Sequence, residues 1–551
     1  MLKASVAFVM RHNPPGTSFS VFSGPQERVA RTVVGAYGTA QIDGRWYGYF
    51  GGYSYTRDKS GVDLKNNNGY LVEELYKVDL ETGQFTIAAR SDGNTQDWLI
   101  SPTGEIAARL NYTRATGAWE IKSSGFAGVE LASGTAPTGE VSLGGYGRSQ
   151  DTLLVRIVDG DQDVVREISL KDGKPIATYP EEEAGTPFYD SASRLWIGSR
   201  SPDDDVTVNL FDPRAQARLT GAVKAFPGYV ARLSAHSADF KQLIMFTDGG
   251  DDSGTYWIVD VTKGVADPIG SPYPSIRPSM VGSTRWFDYK AADGLELRGV
   301  LTLPPGGGGK NLPLVVIPHG GPESHDSPGF DYWPQAFASR GYAVFQPNFR
   351  GSDGWGRRFR ESGYGEWGRK MQTDISDGVG ALAGQGVIDP KRTCIVGWSY
   401  GGYAALAGVT VQNGLYRCAM SYGGVADLDG MLVHIRERTG GQSAAVRAWK
   451  EMLGVTSTVR TDLDSISPSD MAARADAPVL LIHGKDDTVV PFAQSAKMAR
   501  ALRGVGKPVE LIAMPGADHW LLQEASRVAM VKASVEFVMK HNPPDAAVAG
   551  P

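Results

Sequence analysis

One stretch constrains this chain more than any other: Cys394-Ile395-Val396-Gly397-Trp398-Ser399-Tyr400-Gly401-Gly402-Tyr403. It reads as a buried apolar strand that runs into a Gly-x-Ser-x-Gly turn and then a helix, the pattern of a nucleophile elbow. So sharp a turn strains the serine backbone, and only small residues two before and two after it let the chain fold back. Gly397 and Gly401 supply that room. The Ser399 hydroxyl is then expected at the carboxyl edge of a parallel sheet and at the amino end of a helix, where developing negative charge is favoured.

A serine hydroxyl is a poor nucleophile at neutral pH unless a neutral imidazole takes its proton and a carboxylate fixes that imidazole's tautomer. Both partners follow in order. Leu480 to Pro491 reads as an apolar strand ending in a loop with Asp486 and Asp487, and Val509 to Met514 as another strand, followed by Pro515-Gly516-Ala517-Asp518-His519. Serine, aspartate and histidine, each after a strand, give the chain order of an α/β-hydrolase triad. Of the eight histidines, His12 and His541 lie near the termini, His236 far upstream and His434 in a polar segment. His319, His325 and His483 stand in the wrong order for the base, which leaves His519. Asp486 and Asp487 point differently because they are adjacent, and Asp518 is poorly placed to grip its own neighbour's ring. Asp487 is favoured.

An oxyanion hole needs two backbone donors. The amide of Tyr400 comes with the elbow. The second is assigned to Gly321, in the run His319-Gly320-Gly321-Pro322 after the apolar stretch Leu314–Ile317, where the missing side chain lets a substrate oxygen approach.

Five motifs, HGGP at 319–322, Asn348-Phe349-Arg350-Gly351-Ser352 with Gly354 and Gly356, the elbow GWSYGGY, His483-Gly484 with Asp487 and Pro491, and Gly516 with His519, together resemble the prolyl oligopeptidase family of serine peptidases. The likeness covers roughly residues 283 to 541 and leans to the acylaminoacyl-peptidase and oligopeptidase branch. It implies Asp487 as the triad carboxylate and Gly321 as the second oxyanion donor, in agreement with the reading above. It also implies an amino-terminal β-propeller that caps the hydrolase active site.

The rest of the chain fits two domains, since 551 residues exceed what one hydrophobic core supports. Residues 16–282 alternate short β-rich runs with turns, as at Leu75–Ile87, Trp98–Ala108, Val164–Tyr179 and Tyr256–Val261, the texture of a propeller. The segment is short for seven blades, so seven, six and an incomplete ring are all compatible with it. Residues 283–551 alternate strands (Leu314–Ile317, Ala343–Pro347, Ala419–Tyr422, Val479–His483, Val509–Met514) with helices (Tyr332–Ser339, Ile375–Ala383), as a doubly wound, mostly parallel sheet does. Residues 1–15 nearly repeat 532–544: Lys3-Ala4-Ser5-Val6-Ala7-Phe8-Val9-Met10 returns as Lys532 to Met539 with Glu536 for Ala7. The carboxyl copy has helical apolar spacing, and the amino copy is expected to be helical by likeness, as a duplication relic or a competitor for the same docking place.

A net charge of −6 gives no reason to invoke nucleic acid or an anionic membrane. No stretch approaches the roughly 18 to 20 apolar residues of a membrane span, and the expected location is cytoplasmic. The two cysteines, Cys394 and Cys418, sit in apolar runs and are expected to be buried free thiols. No histidine or cysteine spacing suits a metal and no glycine-rich loop suits a phosphate, so no cofactor is inferred. Glu73-Glu74 and Glu181-Glu182-Glu183 are expected to be solvated surface, with anchorage of a free peptide amino terminus as the sharper alternative. The function expected is hydrolysis of short or acylated peptides, with a homo-oligomer compatible. A carboxylesterase and a dipeptidyl-peptidase-like aminopeptidase are the alternatives on the same triad, and a propeller that binds without catalysis is the alternative from another class.

Overall fold

The computed structural model describes residues 8–10, 18–22, 29–55, 71–91, 93–124, 128–201, 204–307, 309–457 and 462–545. Its contacts divide the chain into two compact units, Met1–Ser199 with Gln442–Arg447, and Arg200–Gly441 with Ala448–Pro551. The expected boundary at 282/283 falls inside the second unit.

The first unit is built from antiparallel meanders. Val29–Ile42, Arg45–Tyr55, Leu71–Asp79 and Phe85–Ala89 form one four-stranded sheet. Thr95–Ile100, Ile106–Thr113, Ala118–Ser123 and Glu130–Thr135 form a second, and Val141–Tyr146, Thr152–Asp159, Gln162–Ser169 and Pro175–Pro180 a third. The expected turns lie between strands: Asp79 caps the turn before Gln84 through hydrogen bonds from the Glu81 and Thr82 amides, at 2.8 and 2.9 Å. A three-stranded sheet follows (Thr186–Tyr189, Trp196–Ser201, Asp204–Leu210), then a four-stranded one in the second unit (Val230–His236, Gln242–Gly249, Asp252–Asp260, Val265–Gly270). Propeller-type sheets thus number five among the described residues.

The hydrolase part holds an eight-stranded sheet in the spatial order Thr284–Lys290, Glu296–Thr302, Ala343–Asn348, Leu312–Val316, Ile388–Trp398, Cys418–Tyr422, Val479–Gly484, Val509–Met514. The first two strands are antiparallel to their neighbours and the other six run parallel. All five strands expected here are present within two residues. The central parallel strands are buried on both faces because helices cover both, whereas the edge strand Val509–Met514 is partly exposed and carries Glu510. Leu314, Val316, Ile395, Val479 and Leu481 pack into one core with the helices Lys370–Gly384, Tyr400–Thr410 and Ala493–Gly504. Val315, Val344, Val396, Met420 and Ile482 pack into the other, against Tyr332–Ala338 and Glu524–His541. Among the described residues no helix is long and apolar enough to cross a membrane.

Two expectations are corrected. Cys394 and Cys418 are not free thiols: they form a disulfide, because parallel pairing sets them directly opposite each other with Cα atoms 4.8 Å apart. The amino-terminal copy is not helical where it is described, since Phe8–Met10 forms a strand paired with Ser18–Ser20. Its carboxyl counterpart is helical because Phe537 and Val538 are buried in the hydrolase core, and a helix of this length depends on such packing. Other residues of the amino copy, His12 among them, lie outside the described residues.

Candidate active site

The elbow has the geometry its glycines suggest. Ser399 holds φ 59° and ψ −118°, a left-handed conformation uncommon for a residue with a side chain. A Cβ on Gly397 would lie 2.1 Å from the Gly401 carbonyl oxygen, and one on Gly401 would lie 2.0 Å from that of Pro318. No larger residue fits at either place. Ser399 is half-buried, its amide donates to Tyr422 O at 3.0 Å, and the helix Tyr400–Thr410 starts immediately after it.

His519 and Asp487 come together after the two last strands, with His519 Nδ1 2.7 Å from Asp487 Oδ2. The other Asp487 oxygen accepts from the amides of Val489 and Val490 at 2.8 and 2.9 Å. Burial alone would raise this carboxyl, but hydrogen bonds from His483, His519 and Val490 outweigh it and hold it well below the usual carboxylate range. The rival carboxylates are turned elsewhere. Asp486 is exposed, and Asp518 accepts from the Leu522 amide at 3.1 Å.

The rival histidines also have other partners. His319 Nε2 lies 2.9 Å from Ser352 Oγ, His325 Nδ1 lies 2.5 Å from Asp353 Oδ1, His236 stacks on Phe240 and His541 packs on Phe537. Trp398, the residue before the serine, has its ring centroid 6.0 Å from that of His519. Among the described residues no hydrogen bond joins the Ser399 hydroxyl to His519; in unliganded sites this bond is often long and closes when substrate arrives.

For the oxyanion donors, no turn, loop or cap acceptor among the described residues takes the amide of Tyr400 or Gly321. Gly320 brings that loop close to the serine, since a Cβ built on it would lie 3.4 Å from Ser399 Cβ. Gly321 has φ 120°, which glycine adopts without cost.

Two features escape a reading of the sequence. His483 is fully buried, with Nε2 2.9 Å from the Val490 carbonyl and 3.4 Å from Asp487 Oδ2, and Nδ1 2.8 Å from Ser495 Oγ. A carbonyl only accepts, so Nε2 carries the proton and faces the carboxylate as a donor. Gly423 runs so close to the pair that a Cβ there would lie 3.1 Å from Asp487 Oδ2 and 3.5 Å from His519 Nδ1. The Gly423-Gly424 pair right after a buried strand was the available signal.

Residues 328–543 match the model of the prolyl oligopeptidase family. That match lies within the hydrolase part and takes in Ser399, Asp487 and His519. It is 26% identical over 508 residues to dipeptidyl aminopeptidase BIII of Pseudoxanthomonas mexicana, covering 84% of this chain and 70% of that protein. It is 27% identical over 239 residues to the acylamino-acid-releasing enzyme of Rattus norvegicus, covering 41% of this chain and 31% of that one. Among solved structures, a Mycobacterium tuberculosis puromycin-hydrolyzing peptidase aligns with a TM-score of 0.70 at 20% identity, over 96% of this chain and 82% of its own. The Pyrococcus horikoshii acylaminoacyl peptidase aligns at 0.67 and 18%, over 98% and 85%. These likenesses support the fold of a propeller followed by an α/β-hydrolase.

The glutamates of the first unit are not solvated surface throughout. Glu73 and Glu74 are successive residues of one strand and face opposite sides of its sheet. Glu74 is buried and paired with Arg90 at 3.2 Å, and Glu73 lies 3.3 Å from the Tyr37 hydroxyl with its carboxyl pushed up to about 7, chiefly by burial. Glu181 pairs with Arg156 at 2.9 Å, while Glu183 is exposed. Among the described residues no group of three or more His, Cys, Asp or Glu side chains could hold a metal ion.

Proposed function

We propose that this chain is a serine peptidase that hydrolyses short peptides through an acyl-enzyme on Ser399. The observation that carries the reading is the strained Ser399 turn beside a His519–Asp487 pair joined at 2.7 Å. Ser399 Oγ attacks the scissile carbonyl while His519 Nε2 takes its proton. Asp487 holds the ring through Nδ1 and stabilises the imidazolium. The amides of Tyr400 and Gly321 receive the oxyanion, each such donor contributing about 3 to 4 kcal/mol to the transition state. The imidazolium then gives its proton to the departing amine, and water repeats the sequence to release the acid.

The test is a fluorophosphonate probe followed by peptide mapping. Labelling confined to Ser399, with turnover of short acyl-peptides lost in Ser399→Ala, is the expected result. Activity surviving in that variant would overturn the mechanism. Simple esters assayed in parallel distinguish a carboxylesterase, which would leave the peptides intact.

A second reading, a dipeptidyl-peptidase-like aminopeptidase, is favoured by the likeness to dipeptidyl aminopeptidase BIII over 84% of the chain. Against it, Glu73 and Glu74 face apart and cannot grip one ammonium together. Equal kcat/KM losses on acetylated and free peptides in Glu73→Gln would exclude that role for Glu73. On location, a cytoplasmic reading is opposed by the Cys394–Cys418 bond, because structural disulfides persist mainly in oxidising compartments. Fractionation decides between them.

A further inference from the structure

The loop that carries His519 continues as Trp520-Leu521-Leu522, and its three side chains are treated very differently. Leu521 is fully buried in the core that also holds Tyr342 and Val538, and its backbone sits at φ 50°. For a residue with a branched side chain this conformation is costly and persists only where the surroundings enforce it. Here they do. Arg527 Nη1 donates to the carbonyls of Leu521 and Leu522 at 2.8 and 2.9 Å, and the Leu522 amide donates to Asp518 at 3.1 Å.

The effect of anchoring Leu521 inward is to turn its two neighbours outward. Trp520 is 51% exposed and Leu522 63%, two large apolar side chains held in water by a fastened backbone. Trp520 stands edge-on to the His519 ring at a centroid distance of 5.1 Å and lies 6.2 Å from Trp398, the residue before the nucleophile. Apolar surface kept exposed on a strained, pinned loop marks a place where something else covers it.

Resting on the serine peptidase reading, the chemistry of His519 identifies the occupant. When the C–N bond breaks, the acyl carbon stays on Ser399 Oγ and the proton on His519 Nε2 passes to the departing nitrogen. That nitrogen must lie within hydrogen-bond reach of the imidazole, so groups flanking the imidazole flank the departing residue. We propose that Trp520 and Leu522, with Trp398 behind them, form a leaving-group subsite that takes an apolar or aromatic side chain on the residue released from the scissile bond.

The test uses the full chain and three peptides with one common acyl part and Phe-amide, Leu-amide or Gly-amide as the departing residue. The wild type should favour Phe and Leu over Gly in kcat/KM by about tenfold or more, the usual scale of discrimination by an apolar pocket. That ratio should fall to about twofold or less in Trp520→Ala and in Trp520→Ala with Leu522→Ala. The exposed position of both side chains leaves the core intact. A second measurement forms the acyl-enzyme from an ester and lets Phe-amide or Gly-amide compete with water. The amine nitrogen then bonds to the acyl carbon as the acyl C–Oγ bond to Ser399 breaks, and the proton lost by the amine passes through His519 to the departing Ser399 Oγ. The same variants should lose the preference for Phe-amide. An unchanged ratio, including an equal loss on all three peptides, would overturn the subsite and make Trp520 a packing partner of His519. Absence of turnover and of Ser399 labelling in the wild type would instead overturn the peptidase reading beneath it.

Discussion

Asp487 Oδ2 lies 2.7 Å from His519 Nδ1 and 3.4 Å from His483 Nε2, so a single carboxylate oxygen faces two imidazoles. The second oxygen is held by two backbone amides, which fixes the carboxylate plane independently of either ring. Asp487→Asn keeps this placement but offers His519 the wrong tautomer, and kcat should fall by ~10⁴-fold. Asp486→Asn, on an exposed side chain, should stay within about threefold of wild type. Steady-state kinetics on one peptide substrate measure both, and the opposite ranking would transfer the role to Asp486.

The elbow predicts an inverse relation between activity and stability at one residue. Ser399→Gly and Ser399→Ala both remove the proposed nucleophile, but only glycine relaxes at φ 59°. Relief of ~1 to 3 kcal/mol of strain, less the ~0.5 to 1 kcal/mol of added chain entropy, leaves Ser399→Gly more stable than Ser399→Ala by about 1 kcal/mol. Urea midpoints of the two inactive proteins check this. Equal midpoints would mean that the turn is not strained.

His319 sets a pH dependence of stability. Burial pushes its pKa down to about 4 from an ordinary value of 6.5, with a bond to the Gly320 carbonyl opposing the shift. The unfolded chain therefore binds a proton that the folded one refuses between these values. The contribution is fully present above about pH 6.5 and is lost as the pH falls towards 4, amounting to ~3 kcal/mol across the window. Denaturation of wild type and His319→Gln at pH 7.5 and 4.5 should show a smaller difference between the two pH values in the variant. Parallel slopes would mean that other groups carry the acid sensitivity.

The disulfide predicts a simple mass measurement. Protein denatured without reductant should take up no alkylating reagent, and two equivalents after reduction, because Cys394 and Cys418 are the chain's only cysteines. Two equivalents without reduction would restore the free-thiol expectation.

Much of the hydrolase part was legible because its signals are local. A buried strand, a small-residue turn and a helix are contiguous around Ser399, and the runs before Asp487 and His519 are short, mostly apolar stretches followed by a glycine, Gly484 and Gly516. What the sequence hid depends on lateral register. Cys394 and Cys418 face each other only because neighbouring parallel strands align them, and His483 reaches Asp487 only because the chain turns back between them. The repeated terminal segment shows the same limit: Phe8–Met10 pairs as a strand whereas Phe537–Met539 lies in a helix, so near-identical residues take the structure their surroundings reward. Glu73 and Glu74 are not solvated as their charge suggests, because charge alone does not reveal which residues of a strand are buried.

The bond between Cys394 and Cys418 spans a sequence separation of 24 residues, and the whole local turn that presents Ser399 lies inside that span: Gly397, Gly401, the Tyr400 amide and the helix Tyr400–Thr410. The elbow is therefore a covalently closed ring within the chain. A protease that nicks the segment between the two cysteines leaves both fragments tethered, and a denatured molecule still carries the elbow as a loop whose ends cannot separate. By chain-entropy arguments such a closure restricts the unfolded state by about 3 kcal/mol, so reducing conditions should act on this peptidase at the very loop that holds its proposed nucleophile.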